Sequence, residues 1–331
     1  MTSTLPEHLF TNLGDLFNLN FDAAIVVLRH LNSHVHADYR HSDSIVKEEL
    51  CHPILRFVWA DLESESSVVA QIILRYEMQV VDDPKGEITL FKLFESPAMW
   101  NSLWAREPFR LFHPTILGRP RDGMKWKVVR AHASIIEESL VKWNGAKGLA
   151  DHISSLFCRT VHVETGHQFV EMFNDPAIIR VLYKHTAEGQ APATYQDLRE
   201  IHIAPRRITQ SKDDLTQLVR LAPEDDKERV RYTLVAVVRC SGQAEEADRI
   251  RLYSVIGHPM SLPTGLNKYV GTYWNIGDAN DPGRAYLLFY AQAPPDPISG
   301  LHGEPMAHKQ SNVKSVIKAV KASIIEKGSS A

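Results

Sequence analysis

Cysteine is scarce in this 331-residue sequence: Cys51, Cys158 and Cys240 are far apart and odd in number. That count excludes a disulfide framework and a four-cysteine zinc site, and it favours reduced, mostly buried thiols. Also lacking is any uninterrupted apolar run of the roughly 18 to 20 residues that a membrane span requires. The opening residues Met1-Thr2-Ser3-Thr4-Leu5-Pro6-Glu7 contain no basic stretch leading into an apolar one, so no secretory leader is read there. Neither sign of charge dominates, because 37 Lys and Arg stand against 40 Asp and Glu, for a formal net charge of -3. Nothing overall therefore points to nucleic acid or to an anionic membrane surface. These absences lead us to expect a soluble intracellular protein, nuclear or cytoplasmic, without a membrane partner.

What is present is ordinary globular composition, 44% hydrophobic and 23% charged, enough for one large core or two smaller ones. The stretch 15–31 has Leu16, Leu19, Ala23, Val26, Val27 and Leu28 among its apolar positions and predicts a helix largely buried in a core. Stretches 45–62 and 67–81 read as further helix or mixed structure, ending at the turn signal Asp82-Asp83-Pro84-Lys85-Gly86. A Pro-rich loop is expected at 114–120, and Ile135, Ile136, Leu140 and Val141 sit at helical spacing over 131–143. From residue 155 the pattern turns to strands, at 159–163, 198–203, 232–238, 250–255 and 285–290. With no βαβ alternation and no repeat of fixed period, the expected class is α+β. Pro294-Pro295-Asp296-Pro297 marks the end of the packed domain, and residues 313–321 beyond it predict a short basic amphipathic helix.

A series of blocks in family order across residues 11 to 290 carries a family resemblance. The first, Thr11-Asn12-Leu13-Gly14-Asp15-Leu16-Phe17-Asn18-Leu19-Asn20, resembles the cysteine box of ubiquitin-specific proteases, with Phe17 where the nucleophilic cysteine stands. Such a box places a thiol at a helix start, where unpaired N–H groups favour a thiolate; a phenyl ring can use none of this. Asn12 matches the family's oxyanion donor. The second block, Arg130-Ala131-His132-Ala133-Ser134-Ile135-Ile136, resembles the family's acidic helix with His132 and Ile135 replacing its acids. In the third, His162-Val163-Glu164-Thr165-Gly166-His167, two zinc-binding thiolate positions have become His162 and Thr165, so no zinc is expected. The buried strands at 232–238 and 285–290 resemble the family's palm strands. Between them Gly265-Leu266-Asn267-Lys268-Tyr269-Val270 puts Lys268 at the histidine, and Asp278 aligns with the third triad member.

The resemblance implies a papain-like fold of helical thumb (about 8–150), then strand-rich fingers and palm (about 151–293), with a linker and short helix at 294–331. It implies no catalytic residue and no cofactor, since two of the three triad roles are unfilled. The expected function is that of an inactive deubiquitinase acting as a scaffold or assembly subunit in a multiprotein complex, with RNA processing as an analogy. The alternative is a non-cleaving reader of ubiquitin or a ubiquitin-like protein. A third reading, an enzyme with relocated chemistry, would use the adjacent Cys51-His52 pair. His30, His34, His36 and His41 invite a metal reading, but a helix end and loop without a nearby cysteine or paired carboxylates make it the weaker one. Trp100, Trp104, Phe109 and Phe112 fit a core cluster as well as a binding patch. The lysines of 313–321 could touch RNA or an acidic protein, although a solvated helix is the default for such a run.

Overall fold

A computed structural model of the chain describes residues 15–40, 42–59, 70, 73, 89–120, 127–131, 134–157, 160–186, 191–204, 229–241, 247–262, 269–271, 274–278 and 284–293. The helix expected at 15–31 is α1, Asp15–Ser33. Phe21, Ala23, Ala24, Ile25, Val27 and Leu31 along it are all at most 1% exposed. A helix apolar around most of its circumference can be stable only inside a core. Short helices follow: α2 (Ala37–Arg40), α3 (Asp43–Cys51), α4 (Leu90–Phe94) and α5 (Pro97–Trp100). The last two begin where the sequence supplies a cap: Thr89 and Ser96 accept from the backbone N–H of Lys92 and Met99, and Pro97 occupies the first turn of α5.

The first strands are β1 (Thr115–Arg119) and β2 (Lys127–Ala131), followed by α6 (Ile135–Glu138), β3 (Leu140–Trp143) and α7 (Leu149–Leu156). Next come β4 (Thr160–Val161), β5 (Gln168–Val170), β6 (Ile178–Lys184), α8 (Tyr195–Leu198) and β7 (Glu200–Ile203). The chain closes with β8 (Val230–Cys240), β9 (Arg249–Leu252) and β10 (Ala285–Gln292). A small sheet has the order β2-β1-β5-β4, and a larger one the order β3-β6-β10-β8-β7, with β9 also on β8. All pairings are antiparallel except β3 with β6. The architecture is mixed α+β, as the sequence predicts.

The large sheet is covered on both faces, which is why β8 and β10 read as continuous apolar runs and not as alternating ones. On one side Val235, Ala236, Val238, Leu287 and Phe289 pack with α1 and the short helices. On the other, Leu234, Val237, Leu288 and Tyr290 pack with Ile153 of α7 and with Phe112, Phe157 and Phe173. Burying a Phe such as Phe289 is worth roughly 1.5–3 kcal/mol, and these two faces contain most of the large side chains.

Three expectations need correcting. The helix expected over 131–143 is broken into the end of β2, the single turn α6 and the strand β3. Leu140, Val141 and Trp143 are buried by pairing alongside β6, and that tertiary pairing overrides the local helical spacing. The loop expected at 114–120 is β1, because Ile116 and Leu117 are buried between two strand neighbours. Finally, among the described residues the strand expected at 159–163 is confined to Thr160–Val161, since the chain reverses where the Gly166 N–H donates to the His162 carbonyl. Strands β1 to β3 precede residue 150, yet β1 pairs with β5 and β3 with β6, so both sheets draw on chain from either side of it.

Candidate functional site

Helix α1 begins at Asp15 and has Phe17 in its first turn. Just beyond, Asn20 and Asp22 are polar and only 4% exposed, and each is tied to a distant segment. Asn20 Oδ1 accepts from the Asp248 backbone N–H at 3.0 Å. The Asp248 carboxylate in turn accepts from the N–H groups of Leu90 and Ser241, each at 2.6 Å. Burial pushes the Asp248 carboxyl above the usual carboxylate range, and the N–H donors of Ser241, Leu90 and Phe91 oppose that rise. Asp22 Oδ2 accepts from the buried Tyr269 hydroxyl at 2.6 Å. Within two turns after Phe17, α1 thus fixes the start of α4, the segment before β9, and the loop that begins at Tyr269.

That loop carries Asp278. Its Trp274 donates to the Val270 carbonyl at 2.7 Å and has the Arg251 guanidinium 4.5 Å from its ring centre. Gly277 has φ +76°, and a Cβ there would stand 2.5 Å from the Ala193 carbonyl oxygen, so the close approach of the two segments requires glycine. Asp278 itself is half-buried, with its N–H on the Asn275 carbonyl at 3.3 Å. Of the expected site positions, the structure therefore puts Phe17 at the head of α1 and Asp278 in a loop anchored to that same helix. Asn12, His132, Lys268 and the segment 294–331 lie outside the described residues.

His162 and Thr165 are exposed in the β4–β5 turn, with Thr165 Oγ1 3.2 Å from His162 Nδ1. Backbone bonds close this turn: His162 donates to the His167 carbonyl at 2.7 Å and accepts from Gly166 at 2.9 Å. Among the described residues, no group of three or more His, Cys, Asp or Glu side chains is placed to hold a metal. The Nε2 of His30 lies 3.1 Å from each of the Val235 and Tyr253 carbonyl oxygens, and its neighbour His34 has its pKa lowered by burial to about 3.

Cys51 and His52 do not form a pair of nucleophile and base. Cys51 is exposed at the end of α3, whereas His52 Nδ1 accepts from the N–H groups of Ile54 and Leu55 at 3.0 and 2.9 Å. Its Nε2 is 3.1 Å from the Ala98 carbonyl, so both ring nitrogens are committed to backbone. Trp104, Phe109 and Phe112 are at most 4% exposed and belong to the core, while Trp100 is half-buried and packs against it.

Of the anchors, Asp22 and Asp248 were not among the residues singled out from sequence, and Asn20 and Tyr269 stood there only as members of motif blocks, with no structural role assigned to them. A signal existed: Asn20 and Asp22 flank Phe21 just before the apolar run Ala23 to Leu28 of the helix, and a buried polar group must find a partner. No protein-family model matches the chain, and no curated protein is significantly similar to it in sequence.

Proposed function

We propose that the chain is a catalytically silent relative of the ubiquitin-specific proteases that works as a protein-binding scaffold. The observation that carries this reading is Phe17 in the first turn of a buried helix whose next turn, through Asn20 and Asp22, still organises the surrounding segments. A frame kept around a position that holds a phenyl ring is useful for holding a shape, because carbonyl attack needs a thiolate or an activated hydroxyl at the helix head. The six-stranded sheet against α1 corresponds in this reading to the palm, and the small sheet β2-β1-β5-β4 to the fingers. Assembly in a multiprotein complex, RNA processing included, rests on analogy with inactive relatives of that family.

Purification of the tagged full-length protein from its own cells, followed by mass spectrometry, should return a stoichiometric protein partner. Recovery of ubiquitin conjugates alone would replace the scaffold by the ubiquitin reader, a reading that the exposed Val128 and Val129 on the edge strand β2 favour. Titration of labelled ubiquitin separates the two directly, since a reader must saturate below about 1 mM. An electrophilic probe built on the ubiquitin C-terminus should leave the protein unlabelled, and labelling at Cys51 would establish an enzyme instead.

A further inference from the structure

Strand β2 is the last strand on one side of the small sheet, and among the described residues it pairs with β1 alone. An edge of this kind presents backbone N–H and C=O groups to an incoming strand. Its side chains are open as well: Lys127 is exposed, and Val128 and Val129 are 58% and 51% exposed. Two consecutive valines stand out because the register shifts at this point. Ile116 lies opposite Arg130 and Leu117 opposite Val128, which leaves Val129 as the extra residue of a β-bulge. Gly118 seats the Val129 side chain, since a Cβ there would collide with it.

We propose, as a deepening of the scaffold reading on which it rests, that this edge binds an extended acidic segment of a partner protein, added beside β2 as one more strand. Strand addition draws affinity from main-chain hydrogen bonds and specificity from alternate side chains. Charge selects the acid. The stretch 121–130, which leads into β2 and forms most of it, contains Arg121, Lys125, Lys127 and Arg130 against the single acid Asp122, in a chain of net charge -3. A second copy of the strand is disfavoured by the same residues. Antiparallel pairing centred on the two valines sets Lys127 opposite Arg130, and like charges placed directly opposite repel. Nucleic acid would meet the cations but gains nothing from two exposed valines, whereas a segment alternating acidic and aliphatic residues satisfies both.

Anisotropy titration of the full-length protein with a fluorescein-labelled peptide of alternating glutamate and valine, about eight residues long, tests this. Binding should saturate below about 1 mM, and Lys127→Glu with Arg130→Glu should weaken it about 10-fold or more at an unchanged thermal midpoint. Val128→Thr with Val129→Thr, which keeps the strand propensity, should weaken it as well, and bound peptide should slow amide exchange in 127–131. No saturation, or saturation that the charge reversal leaves unchanged, overturns the proposal; so does tighter binding of a labelled single-stranded RNA or of ubiquitin at the same edge. Purification from cells separates the edge from the scaffold reading. A stoichiometric partner that the charge-reversed protein loses supports both, and one that it retains removes the edge and leaves the scaffold standing. A wild-type protein that brings down no partner removes the scaffold reading, while the titration still decides the edge.

Discussion

Arg180 is fully buried, and a charge taken out of water needs partners to hold it there. Its guanidinium donates to Glu95 Oε1 at 2.8 Å and lies 4.3 Å from the Trp104 ring centre, while Trp100 donates to the other Glu95 oxygen at 2.9 Å. Burial draws the Arg180 pKa down to about 10, opposed by Glu95, which leaves it charged at neutral pH. Glu95→Ala should therefore cost about 3–5 kcal/mol in urea denaturation, because it strands a buried charge. Replacing both partners by apolar residues, as in Arg180→Met with Glu95→Leu, should recover most of that loss. His52 supplies a pH dependence. Burial lowers its pKa from 6.5 to about 4, and protonation of Nδ1 would displace the two N–H groups it accepts. Between those values the unfolded chain binds a proton that the native chain does not, so this contribution is complete above pH 6.5 and lost as the pH falls toward 4. The total is about 3 kcal/mol. Urea midpoints at pH 7.5, 5.5 and 4.5 should show the gap between the wild type and His52→Asn narrowing as the pH falls; a constant gap would refute the assignment.

At the scale of elements, legibility followed the source of each element's stability. Helix α1 and the strands β8 and β10 were readable because their own residues are apolar enough to demand burial on every side. Strand β3 was not, since Ile135 to Trp143 has helical spacing and becomes strand only through β6, 40 residues away. Strand β1, flanked by prolines, owes its form to β2 and β5 in the same way. Asn20, Asp22, Asp248 and Tyr269 show the same limit for the site: each is an unremarkable residue type whose meaning comes from a partner in another segment. The Tyr269–Asp22 bond is a direct link between α1 and the loop bearing Asp278. Tyr269→Phe removes a hydrogen bond to a buried carboxylate and should cost about 1.5–3 kcal/mol. Amide exchange should rise in 269–278 while β8 and β10 remain protected; an equal rise in both would mean that the loop and the sheet open as one unit.

For the whole molecule, the proposed reading raises the question whether a loss of catalysis at Phe17 would be local or distributed. On that proposal, a local loss would be repaired by Phe17→Cys with Lys268→His, with Asp278 taken as the third member. A distributed loss would not be. The block resembling the family's acidic helix has His132 and Ile135 where acids stand, and it contributes only the single turn α6 before the chain turns into β3. The β4–β5 turn closes on backbone hydrogen bonds around exposed His162 and Thr165. Efficient cleavage needs the reacting groups held within about 0.5 Å of productive geometry, a demand that a cysteine and a histidine added to an unsupported neighbourhood do not meet. The double variant should fold with an unchanged thermal midpoint and release no fluorophore from a ubiquitin C-terminal substrate above the rate of the wild-type chain. Robust turnover would place the loss at those two residues alone and recast the molecule as a protease inactivated at its triad, with the partner-binding surfaces of an enzyme.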